Sequence, residues 1–140
     1  MTPVIVDTNV LIDVLGPDGP WRSWSTVQLR SAADEASLVI NPIIYGELAI
    51  GFDSVEDLDA ALPQAWIRRE DVPYPAAFLA ARCFLEYRRR GGARTSVLPD
   101  FYVGAHAAIA GYRLLTRDAA RYRTYFPRLE VIAPPNAPIG

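Results

Sequence analysis

Two aspartates of this chain each follow a short apolar run and precede a helical pattern. Asp7 comes directly after residues 4–6 (Val-Ile-Val), and Asp118 follows residues 114–115 (Leu-Leu) and a Thr-Arg pair. Such runs are typical of strands that are buried on both faces of a parallel sheet. Because parallel strands end at one edge of their sheet, where α/β proteins bind ligands, we expect both carboxylates at that edge. Asp7 or Thr8 could instead simply cap the helix that begins there.

Two further acids lie on predicted helices. Asp100 stands at a helix N-terminus directly after Pro99, and Glu47 is the one acid in the otherwise apolar helix of residues 42–50. A glutamate in such surroundings is costly to bury without a partner. Four converging carboxylates, in a chain without Lys, would form an oxygen-only site suited to Mg²⁺ or Mn²⁺. Such an ion can lower the pKa of an attacking water and stabilise a leaving oxygen, which is the chemistry of phosphodiester hydrolysis.

The elements that must position these acids alternate along the chain between strand and helix. Strands are predicted at residues 4–6, 38–40, 114–116 and 129–132, and helices at residues 8–15, 21–36, 42–50, 53–62, 76–90, 99–110 and 119–125, before a Pro-rich tail. The connections between strands are too long for hairpins, which favours parallel pairing. We therefore expect a three-layer α/β/α sandwich with a short parallel sheet, formed by residues 1–140 as a single domain.

The charge of the chain is unevenly distributed. The net charge is −2, but residues 1–70 hold 11 acids and 4 Arg whereas residues 71–140 hold 5 acids and 10 Arg. We name as the arginine patch the four basic residues around the end of the helix at 76–90, which are Arg88, Arg89, Arg90 and Arg94. The patch is a candidate contact for RNA phosphates. Cations in a last helical turn also complement the helix dipole, which is the alternative explanation for three of the four.

Several classes of site are excluded by composition. Cys83 and His106 are each the only residue of their type, so no disulfide and no multi-cysteine zinc site can form within the chain. Cys83 is interpreted as a buried thiol, and His106 as a helix-surface or packed residue. No apolar run approaches the roughly 20 residues needed to cross a bilayer, and no secretory leader pattern is present. We expect a cytoplasmic protein without a membrane partner.

The motifs around the acids resemble those of the PIN-domain ribonucleases, and especially the VapC toxins. The resemblance rests on VIVDTNVLID at residues 4–13, Glu47 in its helix, PDFYVGAHAAIA at residues 99–110 and LLTRDAARYRTYFP at residues 114–127. It implies four metal-binding acids, which are Asp7, Glu47, Asp100 and Asp118. It also implies that Thr116 is the hydroxyl residue that supports them. Asp13, beyond Asn9 in the first helix, is interpreted as a solvated position.

The resemblance implies a metal-dependent endoribonuclease toxin that uses Mg²⁺ or Mn²⁺, leaves a 5′-phosphate and is inhibited by a VapB-type antitoxin. A homodimer is also expected. One alternative is a non-catalytic PIN-like module that binds RNA or protein, although such a module would be expected to lack one of the acids. Another is a structure-specific DNA nuclease, but 140 residues leave no room for its long DNA-binding extension. Haloacid-dehalogenase-like phosphatases need an Asp where this chain has Asn9, and response-regulator receivers and P-loop enzymes need a Lys.

Overall fold

A parallel sheet with helices on both faces forms the fold in the computed structural model, which describes residues 1–135. The elements in chain order are β1 (Val4–Val6), α1 (Thr8–Leu15), α2 (Arg22–Glu35), β2 (Leu38–Ile40), α3 (Pro42–Ala49), α4 (Val55–Ala61), β3 (Ile67–Arg69), α5 (Tyr74–Arg89), α6 (Pro99–Ala110), β4 (Arg113–Leu115), α7 (Ala120–Tyr125) and β5 (Val131–Ile132). The last five residues of the predicted Pro-rich tail lie outside the described residues.

The five strands of the sheet follow the order β3-β2-β1-β4-β5, and every neighbouring pair is parallel. In the centre, Ile5 of β1 pairs with Val39 of β2 on one side and with Leu114 of β4 on the other. This arrangement confirms the predicted α/β sandwich with a short parallel sheet. Among the residues that the structure describes, no helix is both long and apolar enough to span a membrane.

Burial explains which strands the sequence pattern predicts. All residues of β1 and β2 are buried, because helices cover both faces of the central strands. The strand β3 was not predicted, and of its three residues only Ile67 is buried. It lies at the edge of the sheet and pairs with β2 alone, so it can carry two arginines without burying them. The last strand is also shorter than predicted, at two residues.

Local signals set the ends of the helices that carry the acids. The Asn41 side chain begins α3 by accepting hydrogen bonds from the backbone N–H groups of Ile43 and Ile44 at 3.0 and 3.1 Å. At the end of α6, Gly111 adopts a left-handed conformation with φ of 73°, which glycine accommodates without strain. The helix α5 starts at Tyr74, two residues before the predicted start, and ends at Arg89.

Candidate active site

The four predicted metal-binding acids line one pocket at the carboxyl ends of β1 and β4. The pocket has a volume of about 240 Å³ and is lined by Asp7, Thr8, Asn9, Ile12, Glu47, Asp100 and Asp118. We call it the acid pocket. Each acid comes from a different place in the fold: the end of β1, the middle of α3, the first turn of α6 and the loop before α7. The carboxylates of four sequence-distant residues are thus brought to one edge of the sheet.

Asp7 is the most buried of these acids, at 5% exposure. Its Oδ1 accepts a hydrogen bond from the backbone N–H of Thr8 at 2.8 Å, so the carboxylate caps α1. Its Oδ2 accepts from the hydroxyls of Thr116 at 2.8 Å and Tyr122 at 2.9 Å. Burial, together with the charge of Asp100, raises the pKa of Asp7 to about 6 although the hydrogen bonds oppose the rise. The cap of α1 therefore uses only Oδ1 of Asp7, so capping alone does not prevent this carboxylate from also binding a cation.

Thr116 connects the two strand ends that face the pocket. Its side chain is fully buried, and its hydroxyl donates to Asp7 Oδ2 while accepting from the Asp118 backbone N–H at 3.1 Å. Asn9 adds a second link, because its Nδ2 donates to the Thr116 hydroxyl at 3.2 Å and its Oδ1 accepts from the Arg117 backbone N–H at 3.1 Å. The loop that carries Asp118 is therefore fixed to the start of α1.

Glu47 has the partner that its apolar surroundings require. Its Oε1 accepts a hydrogen bond of 2.6 Å from the hydroxyl of Thr8, which is itself buried. This bond links α3 to the first residue of α1. A charged carboxylate with a short hydroxyl donor loses less on burial than an unpaired one.

Asp100 contacts two residues that sequence reasoning missed. Its Oδ2 lies 3.2 Å from Nη1 of Arg121, and its Oδ1 lies 3.4 Å from the hydroxyl of Tyr122. Both residues belong to α7, and the burial of Tyr122 and its carboxylate neighbours raises the pKa of that phenol strongly. A Tyr in a short amphipathic helix is indistinguishable by pattern from an ordinary core residue. The one signal in the sequence that could have indicated Tyr122 is its position on the helix that follows Asp118.

The donor set fits a hard divalent cation, because the acids offer carboxylate oxygens and, within the described residues, only Asp100 of the four is paired with a cationic side chain. As the side chains stand, however, no three His, Cys, Asp or Glu residues within 1–135 are close enough together to hold one metal ion. Hydroxyls and one guanidinium lie on the oxygens of Asp7 and Asp100 instead. The ligand set of Asp7, Glu47, Asp100 and Asp118 stays a prediction.

The arginine patch lies at the end of α5 and in the loop after it, and none of its members lines the acid pocket. Arg88 Nη1 donates to the carbonyls of Gly92 and Arg94 at 3.2 and 2.9 Å. Arg89 and Arg90 lie 3.5 and 3.1 Å from the carboxylate of Glu86. Three of the four arginines therefore have partners within the chain, and the side chains of two of them, Arg89 and Arg90, are still 75% and 56% exposed.

Contacts between guanidinium groups and aromatic rings connect the arginine patch to the acid pocket. The guanidinium of Arg121, which contacts Asp100, lies 6.0 Å from the ring of Tyr87 on α5, and that of Arg90 lies 5.5 Å from the ring of Tyr125 on α7. The end of α5 and the helix α7 are thus neighbours on one side of the pocket. Arg121 extends the positive surface up to an acid of the site.

The interpretation of Asp13 as a solvated residue is wrong. Its side chain is only 11% exposed, and its Oδ2 accepts from the Ser25 hydroxyl at 2.6 Å and from Arg117 Nε at 2.8 Å. Packing of α2 against α1 brings Ser25 to it, and the turn after β4 brings Arg117. Asp13 therefore fastens the turn that precedes Asp118, and it does not line the acid pocket.

His106 and Cys83 are both packed inside the protein. His106 Nδ1 lies 3.1 Å from Asn41 Nδ2, and its Nε2 lies 3.5 Å from Glu70 Oε1. Burial lowers the pKa of this imidazole, although the charge of Glu70 opposes the change. The contact joins α6 to the residue that caps α3.

Comparison with known proteins gives one family match and a set of similar folds. The sequence model described as the PIN domain matches residues 4–127, and no curated protein sequence matches the chain. The chain is similar to VapBC2 from Rickettsia felis bound to a DNA fragment from its promoter, at 17% identity over 94% of this chain and 98% of that one, with a TM-score of 0.71.

Two further solved structures have the same fold. A toxin–antitoxin complex from Klebsiella pneumoniae is 17% identical over 92% of this chain and 95% of that one, with a TM-score of 0.67. The Mycobacterium tuberculosis toxin VapC20, described as cleaving the sarcin–ricin loop, is 15% identical over 86% of this chain and 94% of that one, with a TM-score of 0.63. At these identities the likeness shows the fold.

Proposed function

Because this chain belongs to the PIN domain family, we propose that it is a metal-dependent endoribonuclease toxin of the VapC type, held inactive by a cognate VapB-type antitoxin. The observation that carries the proposal is the acid pocket, in which four carboxylates from four separate elements face one volume of about 240 Å³. A stable fold does not need four acids at one sheet edge, since carboxylates that face one volume repel one another and Asp7 is also desolvated. A pocket of that kind is suited to a cation.

We assign the acids to Mg²⁺ or Mn²⁺ on the chemistry of their oxygens. Asp7, Asp100 and Asp118 would hold one or two ions, and Glu47 would complete the cluster or orient a water molecule. A bound ion would lower the pKa of that water and stabilise the leaving oxygen of an RNA phosphodiester. Thr116 orients Asp7 and Asp118 through its hydrogen bonds to the Asp7 carboxylate and the Asp118 backbone N–H.

Arg121 is the cation best placed to meet a phosphate of the substrate. Of the ion pairs within the described residues, its contact with Asp100 is the one that involves an acid of the pocket. The Arg121 side chain is 42% exposed, and its guanidinium is planar with several N–H donors, as phosphate recognition requires. We propose that RNA enters along Arg121 and the arginine patch. The patch lies beside α7, the helix of Arg121, because Arg121 contacts the ring of Tyr87 and Arg90 contacts the ring of Tyr125.

The proposed antitoxin has an apolar surface beside the acid pocket. A groove of about 640 Å³ shares Thr8, Ile12 and Glu47 with that pocket and continues over Leu15 and Phe52. Ile50 at its rim is 88% exposed, which is unusual for a large apolar side chain unless a partner covers it. The solved folds from Rickettsia felis and Klebsiella pneumoniae are complexes of this two-protein kind. We propose that an antitoxin segment lies in this groove and over the acids. We also propose that the toxin is a homodimer.

The decisive experiment is cleavage of RNA by variants in which one carboxylate of the pocket is replaced by an amide of nearly the same shape. Asp7→Asn and Asp100→Asn should each abolish cleavage and growth inhibition in the presence of Mg²⁺ while leaving the circular-dichroism spectrum unchanged. Asn caps a helix about as well as Asp, which covers the cap of α1 by Asp7, and the Asp100 side chain caps no helix. Asp34→Asn, which removes an exposed acid on α2, is the matched control. Cleavage products should carry 5′-phosphates. Full activity in either pocket variant would contradict the assignment.

A further inference from the structure

A single buried hydroxyl lies between two acids of the pocket. Tyr122 is 1% exposed, and its hydroxyl donates to Asp7 Oδ2 at 2.9 Å while lying 3.4 Å from Asp100 Oδ1. Asp7 ends β1, whereas Asp100 is in the first turn of α6. Within residues 1–135, no other side chain makes a hydrogen bond to both carboxylates. Tyr122 therefore joins two acids that the chain delivers from different elements.

The position of this hydroxyl is fixed by the core. The Tyr122 ring belongs to the main hydrophobic cluster, so the hydroxyl cannot leave the acids without disturbing packed side chains. A phenol carries one proton, which Tyr122 donates to the nearer carboxylate, that of Asp7. The carboxylate of Asp100 lies within reach of the same hydroxyl. Two carboxylates otherwise repel each other, and a donor placed between them reduces that repulsion.

The Thr116 hydroxyl contributes to the same arrangement. It donates to the Asp7 oxygen that also accepts from Tyr122, and the backbone N–H of Thr8 occupies the other oxygen. The plane of the Asp7 carboxylate is therefore determined by three donors. Buried Tyr hydroxyls usually find some partner, often a backbone carbonyl, but here both available partners are acids of one pocket.

We propose that Tyr122 is a positioning residue of the metal site, whose hydroxyl holds Asp7 and Asp100 together as a pair of ligands for one divalent cation. The proposal rests on the assignment of both acids as ligands under the proposed function. Residues that hydrogen-bond to liganding carboxylates fix their orientation, and losing one typically weakens metal binding by about 10- to 100-fold.

The test compares two tyrosines of α7 that differ in this contact. Tyr122→Phe removes the bridging hydroxyl and keeps the ring. Tyr125→Phe makes the same chemical change at a residue whose hydroxyl has no hydrogen bond within 1–135 and whose ring packs on Phe101. Mn²⁺ affinity, measured by titration calorimetry and by the free-ion electron paramagnetic resonance signal, should fall by about 10- to 100-fold in Tyr122→Phe and stay unchanged in Tyr125→Phe.

A double-mutant cycle separates positioning from general support of the fold. If Tyr122 acts by pairing Asp7 with Asp100, then Tyr122→Phe should weaken Mn²⁺ binding much less in an Asp100→Asn background than in the wild type. Equal losses in both backgrounds would overturn the proposal, as would a Tyr122→Phe variant that binds Mn²⁺ as tightly as, or more tightly than, the wild type. If Tyr122→Phe does not fold, the wild-type protein is tested by the ultraviolet difference spectrum of its tyrosines on adding Mg²⁺. A spectrum without the signal of a perturbed buried phenol would also overturn the proposal.

These measurements need no RNA. A wild-type chain that binds Mn²⁺ but cleaves no RNA would contradict the proposed function and leave the Tyr122 comparison decisive. A wild-type chain without Mn²⁺ affinity would overturn both.

Discussion

The raised pKa of Asp7 gives the metal-free protein a pH-dependent stability that one substitution should remove. In the unfolded chain this carboxyl ionises at an ordinary value of 3.8, whereas burial raises its pKa to about 6 in the folded protein. Below the lower value both states are protonated, and the group does not affect stability. As pH rises, the unfolded state releases its proton first, so stability falls until the folded carboxyl has also ionised, somewhat above its pKa of about 6.

The size of the effect follows from the two pKa values. Each pKa unit corresponds to about 1.4 kcal/mol, so the metal-free wild type should lose about 3 kcal/mol through Asp7 between about pH 3 and about pH 8. Asp7 is 5% exposed, so solvent screening reduces this figure little. Asn at this position does not titrate. It also has only one acceptor oxygen, so it cannot accept both from the Thr8 N–H and from the hydroxyls of Thr116 and Tyr122, but that loss is the same at every pH and cancels when pH values are compared.

The assay is urea unfolding of wild type and Asp7→Asn in EDTA across this pH range. The stability of Asp7→Asn minus that of wild type should rise by about 3 kcal/mol from about pH 3 to about pH 8. Mn²⁺ at about 100 times its dissociation constant should return about 2.7 kcal/mol to the wild type at the upper pH and little to the variant. A difference in stability that does not change with pH would show that Asp7 ionises without cost, and the reasoning from burial would fail.

Three further predictions concern the ligands and the positive surface. Asp100→Asn should lose most of the rise in Tm that Mn²⁺ gives the wild type, because one carboxylate ligand is gone; an equal rise would remove Asp100 from the ligand set. Arg121→Ala should bind Mn²⁺ more tightly, since its guanidinium lies 3.2 Å from Asp100 Oδ2, and should bind single-stranded RNA more weakly, whereas Arg123→Ala on the same helix should do neither. Neutralising the arginine patch should reduce the log–log salt dependence of RNA affinity by about 0.7 for each lost phosphate contact, and an unchanged slope would leave those arginines with their contacts inside the chain.

The sequence is informative about the sheet where burial on both faces imposes one kind of residue. The strands β1 and β2 are continuous apolar runs for that reason, and the positions of Asp7 and Asp118 follow from the ends of buried strands. The strand β3 escapes the pattern because an edge strand needs only one buried side chain, which Ile67 supplies.

The contacts of the acids could not be read from the sequence because they depend on how separate elements pack. Asp13 has its partners 12 and 104 residues away in Ser25 and Arg117, and nothing in its own helix indicates them. Tyr122 is 115 residues away from Asp7 in the sequence, and the two side chains meet only because α7 lies beside the end of β1 and α6 in the fold. Chain-local patterns specify which residues are acids at strand ends, whereas the donors around them are a tertiary property.

The contact between Asn41 and His106 makes the imidazole an internal reporter of helix position. Asn41 Oδ1 accepts from two backbone N–H groups, so its Nδ2 faces His106 Nδ1, which must accept and leaves the ring proton on Nε2. Nitrogen-15 chemical shifts distinguish this tautomer, and a chain with a single His gives a single pair of ring signals. The ring belongs to α6, the helix of Asp100, and its partner caps α3, the helix of Glu47. A shift of these resonances on adding Mg²⁺ would register, without any attached probe, a displacement of the two helices that accompanies the proposed binding of the ion.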